Sequence, residues 1–248
     1  MKRIPGFALL LLLPLPALSQ TPPAEDYSLI GAGVRSLPAY DGSKSQRADL
    51  VPLIDYDGKL LFARTTQGIL EAGAHYKPGE GFKLGAQLAY EEGRKTRESP
   101  LLQRLGASDV GVGASLGPYA EWETKIGPAP VLALGRVRQQ LETNRGAQAD
   151  LRATVGVYQN GPALAGIYAQ ATWANQKSLR TYYGQPGFDP DGGLLFASLG
   201  ALGSYDLGRK WALLASLEAR RLQGDAARSP LVERKSNYYA VAGLAYKF

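Results

Sequence analysis

The only histidine in the chain, His75, is the side chain best suited to act as a general base near neutral pH. In the stretch ILEAGAHYK, two-residue alternation places His75 on the same strand face as Glu71. Outer-membrane lipases and deacylases pair a histidine with a serine nucleophile, but no serine near His75 forms a motif with it. The sequence therefore predicts that Glu71 and His75 are a hydrogen-bonding pair inside the protein and that the chain is not an enzyme.

Two further stretches have the look of ligand-binding loops. GVGASLG, at residues 111–117, has its third glycine one place too far on for a dinucleotide loop, and no helix is expected after it. DPDGG, at residues 189–193, lacks the further oxygen ligands of a calcium loop and has the composition of a turn. The chain has no cysteine that could bind a metal. We therefore expect no cofactor and no metal.

Apolar and polar residues alternate with a period of two in several segments, which is typical of β-strands with one apolar face. The clearest are FKLGAQLAY, LRATVGVYQ and KWALLASLEARR. The polar faces of such strands carry charges of both signs, which we assign to the inside of a barrel: Glu71, His75, Lys83, Gln87, Glu91, Arg152, Glu218, Arg220 and Lys247. These side chains could form ion pairs that close a narrow barrel or could line a small polar pore.

The connections between these strands alternate between short and long. Tight turns such as DYDGK, KPGEG, NGP and DLGRK alternate with mostly longer polar segments, although TTQG near Thr65 is a short exception. Short turns at one end and long loops at the other are typical of an outer-membrane barrel. We predict an all-β fold, a transmembrane antiparallel β-barrel of about 12 strands with short periplasmic turns and longer extracellular loops.

The sequence ends on the strand-like segment AVAGLAYKF. Alternation puts Tyr246 and Phe248 on the lipid face, at the level of an aromatic girdle. A last strand that pairs with the first leaves no free edge, so no polar tail is needed. We expect Tyr246 and Phe248 to be the signal that the outer-membrane assembly machinery recognises.

The first residues indicate export. Lys2 and Arg3 precede a short apolar run that ends in Ala17-Leu18-Ser19, a signal-peptidase pattern. We assign residues 1–19 to a cleaved signal peptide and residues 20–248 to an outer-membrane barrel. The net charge of +6 comes without the dense basic run of a nucleic-acid-binding protein. Basic residues in the expected outer loops could instead contact lipopolysaccharide phosphates: Arg94, Lys95, Arg97, Arg104 and Arg180.

The segment GAGVRSLPAYDGSKS carries a specific resemblance to a known family. Its matching residues are two strand glycines and a P-x-Y-x-G-S loop: Gly31, Gly33, Pro38, Tyr40, Gly42 and Ser43. The chain resembles the MipA/OmpV family of Gram-negative outer-membrane proteins over nearly its whole mature length.

This resemblance implies a location and a fold more than a task. One family member is a bridge between a lytic murein transglycosylase and a murein synthase, and others are linked to osmotic response, antibiotic susceptibility or adhesion. The resemblance therefore favours a scaffold that links the outer membrane to murein-processing enzymes. The alternatives are a small-solute channel and an outer-surface adhesion or stress-response protein.

Overall fold

The computed structural model describes residues 28–66 and 68–248. The signal peptide and the start of the mature chain lie outside the described residues, as does Gln67. The strands are β1 Leu29–Pro38, β2 Gln46–Asp57, β3 Leu61–Thr66, β4 Ile69–Gly79, β5 Phe82–Glu91, β6 Gly113–Ile126, β7 Ala129–Gln140, β8 Ala147–Asn160, β9 Ala163–Ala174, β10 Gly193–Asp206, β11 Trp211–Leu222 and β12 Ser236–Lys247.

Each strand pairs with its neighbours in sequence, and β1 pairs antiparallel with β12. The sheet is therefore a closed barrel of 12 strands, which confirms the predicted fold class. Closure extends to the chain terminus, because Ser28 and Phe248 exchange two backbone hydrogen bonds of 3.0 Å. The last strand thus has no unpaired edge.

The two ends of the barrel differ, as the connection lengths predict. One end, which we call the turn end, carries the turns after β2, β4, β6, β8 and β10 together with Ser28 and Phe248. The other, the loop end, carries the longer connections and the short β3–β4 hairpin, which contains the exceptional TTQG segment. In bacterial outer-membrane barrels the turns face the periplasm and the long loops face outward.

The outer wall is apolar where the strands cross. Large hydrophobic side chains that alternate with buried ones are exposed on this wall, among them Leu50, Leu151, Leu199 and Leu217. Aromatic pairs lie near the turn end, where Phe82 stacks on Trp122 and Trp211 meets Tyr246 edge-on at a centroid distance of 5.3 Å. An apolar band with aromatic residues at its edge is the outer surface of a membrane-spanning barrel.

Helices occur only as short elements of the loops in the described part of the chain. They are α1 Pro100–Arg104, α2 Gln176–Tyr183 and three single 3₁₀ turns. None of these described helices has the length and the apolar composition needed to cross a membrane. The sequence analysis predicted neither α1 nor α2, although Ser99 and Asn175 accept hydrogen bonds from the first-turn amides of these helices and so are recognisable caps.

We expect Phe248→Asp to lower the amount of folded protein in the outer membrane. The side chain of Phe248 is 65% exposed on the outer wall, where a charge is costly even near the membrane interface. The measurement is the heat-modifiable fraction of the protein on a gel of isolated outer membranes. Phe248→Tyr keeps an aromatic ring and should behave like the unchanged protein. Normal amounts of heat-modifiable Phe248→Asp protein would contradict the prediction that Phe248 is part of the assembly signal.

Candidate functional site: the barrel interior and its loop-end cover

A network of opposite charges crosses the middle of the barrel. Arg136 contacts Glu71 and donates from Nε to Asp150 at 2.6 Å. Arg138 joins the same Asp150 at 3.0 Å and reaches Glu91 at 2.8 Å. All five side chains are at least 90% buried. The network therefore fixes several strands to one another through charges that are withdrawn from bulk water.

The network continues at its edges. Arg64 donates to Glu71 at 3.2 Å and contacts Glu121. Hydroxyl groups satisfy further carboxylate oxygens, since Thr172 donates to Asp150 at 2.6 Å and Ser115 donates to Glu91 at 2.5 Å. Charge-assisted hydrogen bonds of this kind are among the stronger side-chain interactions.

The sequence analysis placed Glu71 and Glu91 inside the barrel but missed most of their partners. Five further members of the network were not named: Arg64, Glu121, Arg136, Arg138 and Asp150. Alternation in LALGRVRQQ could have found Arg136 and Arg138, because they share one face of β7. Their pairing with β4, β5 and β8 depends on the closed barrel and has no local signal.

His75 and Glu71 have separate partners, so the expected hydrogen-bonding pair is wrong. The Nε2 atom of His75 lies 3.0 Å from the Gly58 carbonyl oxygen, and its Nδ1 atom lies 3.3 Å from the Tyr119 hydroxyl. Its ring stacks on Phe62 at a centroid distance of 5.8 Å. His75 is four residues from Glu71 on β4, and it packs nearer the turn end while Glu71 belongs to the central network.

Two further predicted interior lysines lie near the turn end. Lys83 contacts Asp57 and Glu123, each at 2.9 Å. Lys247 contacts Asp206 at 3.0 Å. These three ion pairs join strands close to the turns and place opposite charges at this mouth of the barrel.

The remaining predicted interior residues lie on either side of the network. Arg220 contacts both oxygens of Glu218 and reaches Asp41 in the β1–β2 loop at 3.0 Å, while its guanidinium group lies over Phe196 and Tyr239. The guanidinium group of Arg152 lies 3.9 Å from the ring centroid of Tyr168. Gln87 is fully buried, and neither of its amide atoms has a hydrogen-bond partner in the described structure.

The P-x-Y-x-G-S loop is hydrogen-bonded to other elements of the loop end. Pro38 ends β1, and the Tyr40 hydroxyl donates to the Leu231 carbonyl at 2.8 Å. The backbone around Gly42 and Ser43 is held by Asn237, which accepts from the Gly42 amide at 2.8 Å and donates to the Ser43 carbonyl at 2.7 Å. These residues therefore join the β1–β2 loop to β12 and to the β11–β12 loop.

The other loops fold over the same end as a packed cover with its own apolar core. One cluster gathers Tyr40 with Leu102 of α1 and Leu231, and a second gathers Leu179 and Tyr183 of α2 with residues of the barrel rim. Burial raises the pKa of Tyr183 well above its usual value. We call these loops the loop-end cover.

The basic residues assigned to the outer loops differ in their surroundings. Arg94 is 4% exposed and donates to the Tyr182 and Ser108 carbonyls, so it is part of the loop-end cover rather than of its outer surface. Arg180 is exposed but is paired with Asp189. The exposed side chains of Lys95, Arg97 and Arg104 lie on the outside of the cover.

No three His, Cys, Asp or Glu side chains are grouped to hold a metal ion in residues 28–66 and 68–248. In the DPDGG turn, Asp189 accepts from Arg180, and Asp191 accepts from Gln176 at 2.9 Å.

We expect Arg136→Met to lower the free energy of unfolding by about 3 kcal/mol, because the buried carboxylates of Glu71 and Asp150 each lose one of their two guanidinium partners. Denaturant titration of the folded barrel in detergent measures this loss. Arg180→Met removes the exposed Arg180–Asp189 ion pair in the β9–β10 loop and should leave the denaturant concentration at the unfolding midpoint unchanged. Equal midpoints for Arg136→Met and the unchanged protein would show that the network does not stabilise the barrel.

We expect Gly42→Ala to loosen the loop-end cover. Gly42 has a φ of 105°, and an added Cβ would lie 2.9 Å from Cγ2 of Val232. Gly187→Ala is the matched control, because Gly187 has a φ of 82° but open space around its missing side chain. Limited proteolysis of intact cells should cleave the loops of Gly42→Ala faster than those of Gly187→Ala. Equal cleavage rates would mean that packing against Val232 does not hold the cover.

Comparison with solved structures finds barrels of low sequence identity. A bacterial polysaccharide outer membrane secretin aligns with 91% of this chain and 99% of its own length, at 9% identity and a TM-score of 0.47. The outer membrane channel DcaP of Acinetobacter baumannii aligns with 90% of this chain and 96% of its own length, at 9% identity and a TM-score of 0.40. A FadL homologue of Pseudomonas aeruginosa aligns with 90% of this chain and 88% of its own length, at 8% identity and a TM-score of 0.38.

Among curated proteins, none matches the sequence. The family model described as MltA-interacting protein MipA matches residues 30–248, which is almost the whole described barrel. The match includes the P-x-Y-x-G-S loop and the terminal strand that closes the barrel. This outer-membrane β-barrel therefore belongs to the family of the MltA-interacting protein MipA.

Proposed function

We propose that this protein is a non-conducting outer-membrane scaffold that holds murein-processing enzymes at its turn end. The observation that carries the proposal is the central charge network. It places five buried charged side chains, each with an oppositely charged partner, across the middle of the barrel. Passage of a solute through this region would require these ion pairs to separate in a low-dielectric interior, which is costly.

The loop-end cover also supports a non-conducting barrel. Its apolar clusters and the hydrogen bonds of Tyr40, Gly42 and Asn237 close the outer side of the barrel with packed loops. A solute channel needs a continuous polar path between its two mouths. The described structure instead has a packed outer end and an ion-paired middle, which leaves the turn end as the surface that could serve a periplasmic partner.

The turn end has side chains suited to binding a protein. Exposed apolar residues stand beside exposed basic ones in three turn regions: Leu60 with Lys59, Ile126 with Lys125, and Leu207 with Arg209. A few well-buried anchor side chains supply most of the affinity of protein interfaces, and surrounding charges supply orientation and speed of encounter. The family description, which names an interaction with MltA, makes a murein-processing enzyme the expected partner.

We further propose that residues 1–19 are a signal peptide removed on export, as the sequence analysis predicts. The exposed side chains of Lys95, Arg97 and Arg104 remain candidates for contact with lipopolysaccharide phosphates. An adhesive or stress-response role would depend on this outer surface, whereas a scaffold would depend on the turn end.

We expect the double variant Ile126→Ser, Leu207→Ser to bind a lytic murein transglycosylase or a murein synthase at least about tenfold more weakly, as the loss of two apolar anchors would cause. Affinity measured on the purified barrel in nanodiscs tests this. Leu105→Ser, an exposed apolar residue of the loop end, is the control and should bind normally.

A planar-bilayer recording completes the test. The scaffold proposal expects no unitary currents from the reconstituted protein. Stable currents that change on substitution of Arg152 or Glu218 would overturn it in favour of a channel. Unchanged enzyme affinity in Ile126→Ser, Leu207→Ser would overturn the assignment of the turn end, and a silent bilayer would then favour a role of the outer loops.

A further inference from the structure

The inner wall of the barrel is not uniformly filled. On β9, Leu164 and Gly166 precede the interior residue Tyr168 and share its face by alternation, and Leu202 of β10 lies opposite Gly166. An added Cβ at Gly166 would lie 3.7 Å from the side chains of Leu202 and Thr154, so these residues share the inner face. Yet Leu164 is 38% exposed and Leu202 is 37% exposed.

This exposure defines a space inside the turn-end half of the barrel, along β8 to β11. Its walls combine apolar and hydroxyl side chains, and we call it the vestibule: Thr154, Leu164, Leu202, Ser204, Leu214 and Ser216. The opposite inner wall is packed, since Phe62, His75 and Tyr119 are buried. The vestibule opens toward the turn end, because Leu164 stands next to the short turn at residues 161–162.

The inner end of the vestibule carries a cation with unusual surroundings. Arg64, Arg136, Arg138 and Arg220 each contact a carboxylate. Arg152 instead has its guanidinium carbon 3.9 Å from the centre of the Tyr168 ring, and its Nε atom is buried without a hydrogen-bond partner in the described structure. A guanidinium group has only donors, so the atom that would satisfy it is an acceptor, and best an anionic one.

A second unpartnered group stands in the same cross-strand row. Arg152 pairs in register with Gln170, and Gln170 pairs with Ser198. The Ser198 side chain is 95% buried, and its hydroxyl oxygen has no hydrogen-bond partner in the described structure. One oxygen-bearing ligand could satisfy both of these neighbouring buried groups.

We propose that the vestibule binds a single-chain anionic amphiphile, with its carboxylate or phosphate head at Arg152 and Ser198 and its alkyl chain along Leu164, Leu202 and Leu214. Burial of the chain removes these leucines from water, and the head supplies the acceptor that Arg152 lacks. The binding site is reached from the turn end and is independent of the surface proposed to hold an enzyme.

The test uses the full barrel in nanodiscs and photoreactive dodecanoate, with photoreactive dodecanol as the uncharged probe of equal length. Dodecanoate should label inner-face residues of β9 to β11 saturably, at one molecule per barrel. Dodecanol should bind at least about tenfold more weakly, as expected from the loss of a charge-assisted hydrogen bond. Labelling that does not saturate, or equal binding of the two probes, would overturn the proposal.

Matched variants locate the site. Leu202→Trp fills the vestibule and should abolish labelling, whereas Leu199→Trp adds the same side chain to the outer wall of the same strand and should have no effect. Arg152→Gln should weaken the binding of dodecanoate by at least about tenfold and leave the binding of dodecanol unchanged. Gel heat-modifiability verifies that each variant is folded. Normal dodecanoate binding by folded Leu202→Trp or Arg152→Gln would overturn the proposal.

Competition identifies the natural source of the head group. Displacement of the probe by unlabelled fatty acid, by lysophosphatidylglycerol or by both supports the proposal, and their relative potency distinguishes a carboxylate from a lipid phosphate. Displacement by neither would show that labelling is nonspecific and would overturn it.

Discussion

The pairing of buried arginines with buried carboxylates is the interaction on which the rest of this barrel depends. A closed sheet of 12 strands encloses a volume that backbone alone cannot fill, and here Arg136 and Arg138 fill its centre by reaching Glu71, Glu91 and Asp150. Charges in such surroundings are tolerated only with good partners. These ion pairs therefore hold β7 to its neighbour β8 and, across the interior, to β4 and β5.

Glycines allow aromatic rings to pack beside this network. An added Cβ at Gly85 would lie 2.7 Å from the Tyr119 ring, and one at Gly200 would lie 2.3 Å from the Tyr168 ring. The high glycine content of the chain is thus partly a packing requirement, because a large side chain can lie flat inside a narrow barrel only where its neighbour has none. The ring of Tyr168 in turn supports the guanidinium group of Arg152.

These features make the two ends of the protein unequal. The loop end is closed by hydrogen bonds to Tyr40 and Gly42 and by a small apolar core. The turn end is open on the side of the vestibule, and its short turns are exposed. This asymmetry favours binding of a partner at the turn end over passage of solutes through the barrel. It also gives a structural reason for the residue types of the P-x-Y-x-G-S loop, which holds the loop end closed.

Sequence alone determined the architecture, because strand alternation and connection length are local properties. It placed Glu71, Lys83, Arg152 and Arg220 on inner faces for the same reason. It did not determine which charges meet, since Arg136 is 65 residues from Glu71 and only closure of the barrel brings them together. Nor did it separate Arg94, which the loop-end cover buries, from its exposed neighbours. Partner choice, burial and the unpartnered Nε atom of Arg152 were decided by tertiary structure, because they depend on how many side chains converge on one point inside the closed sheet.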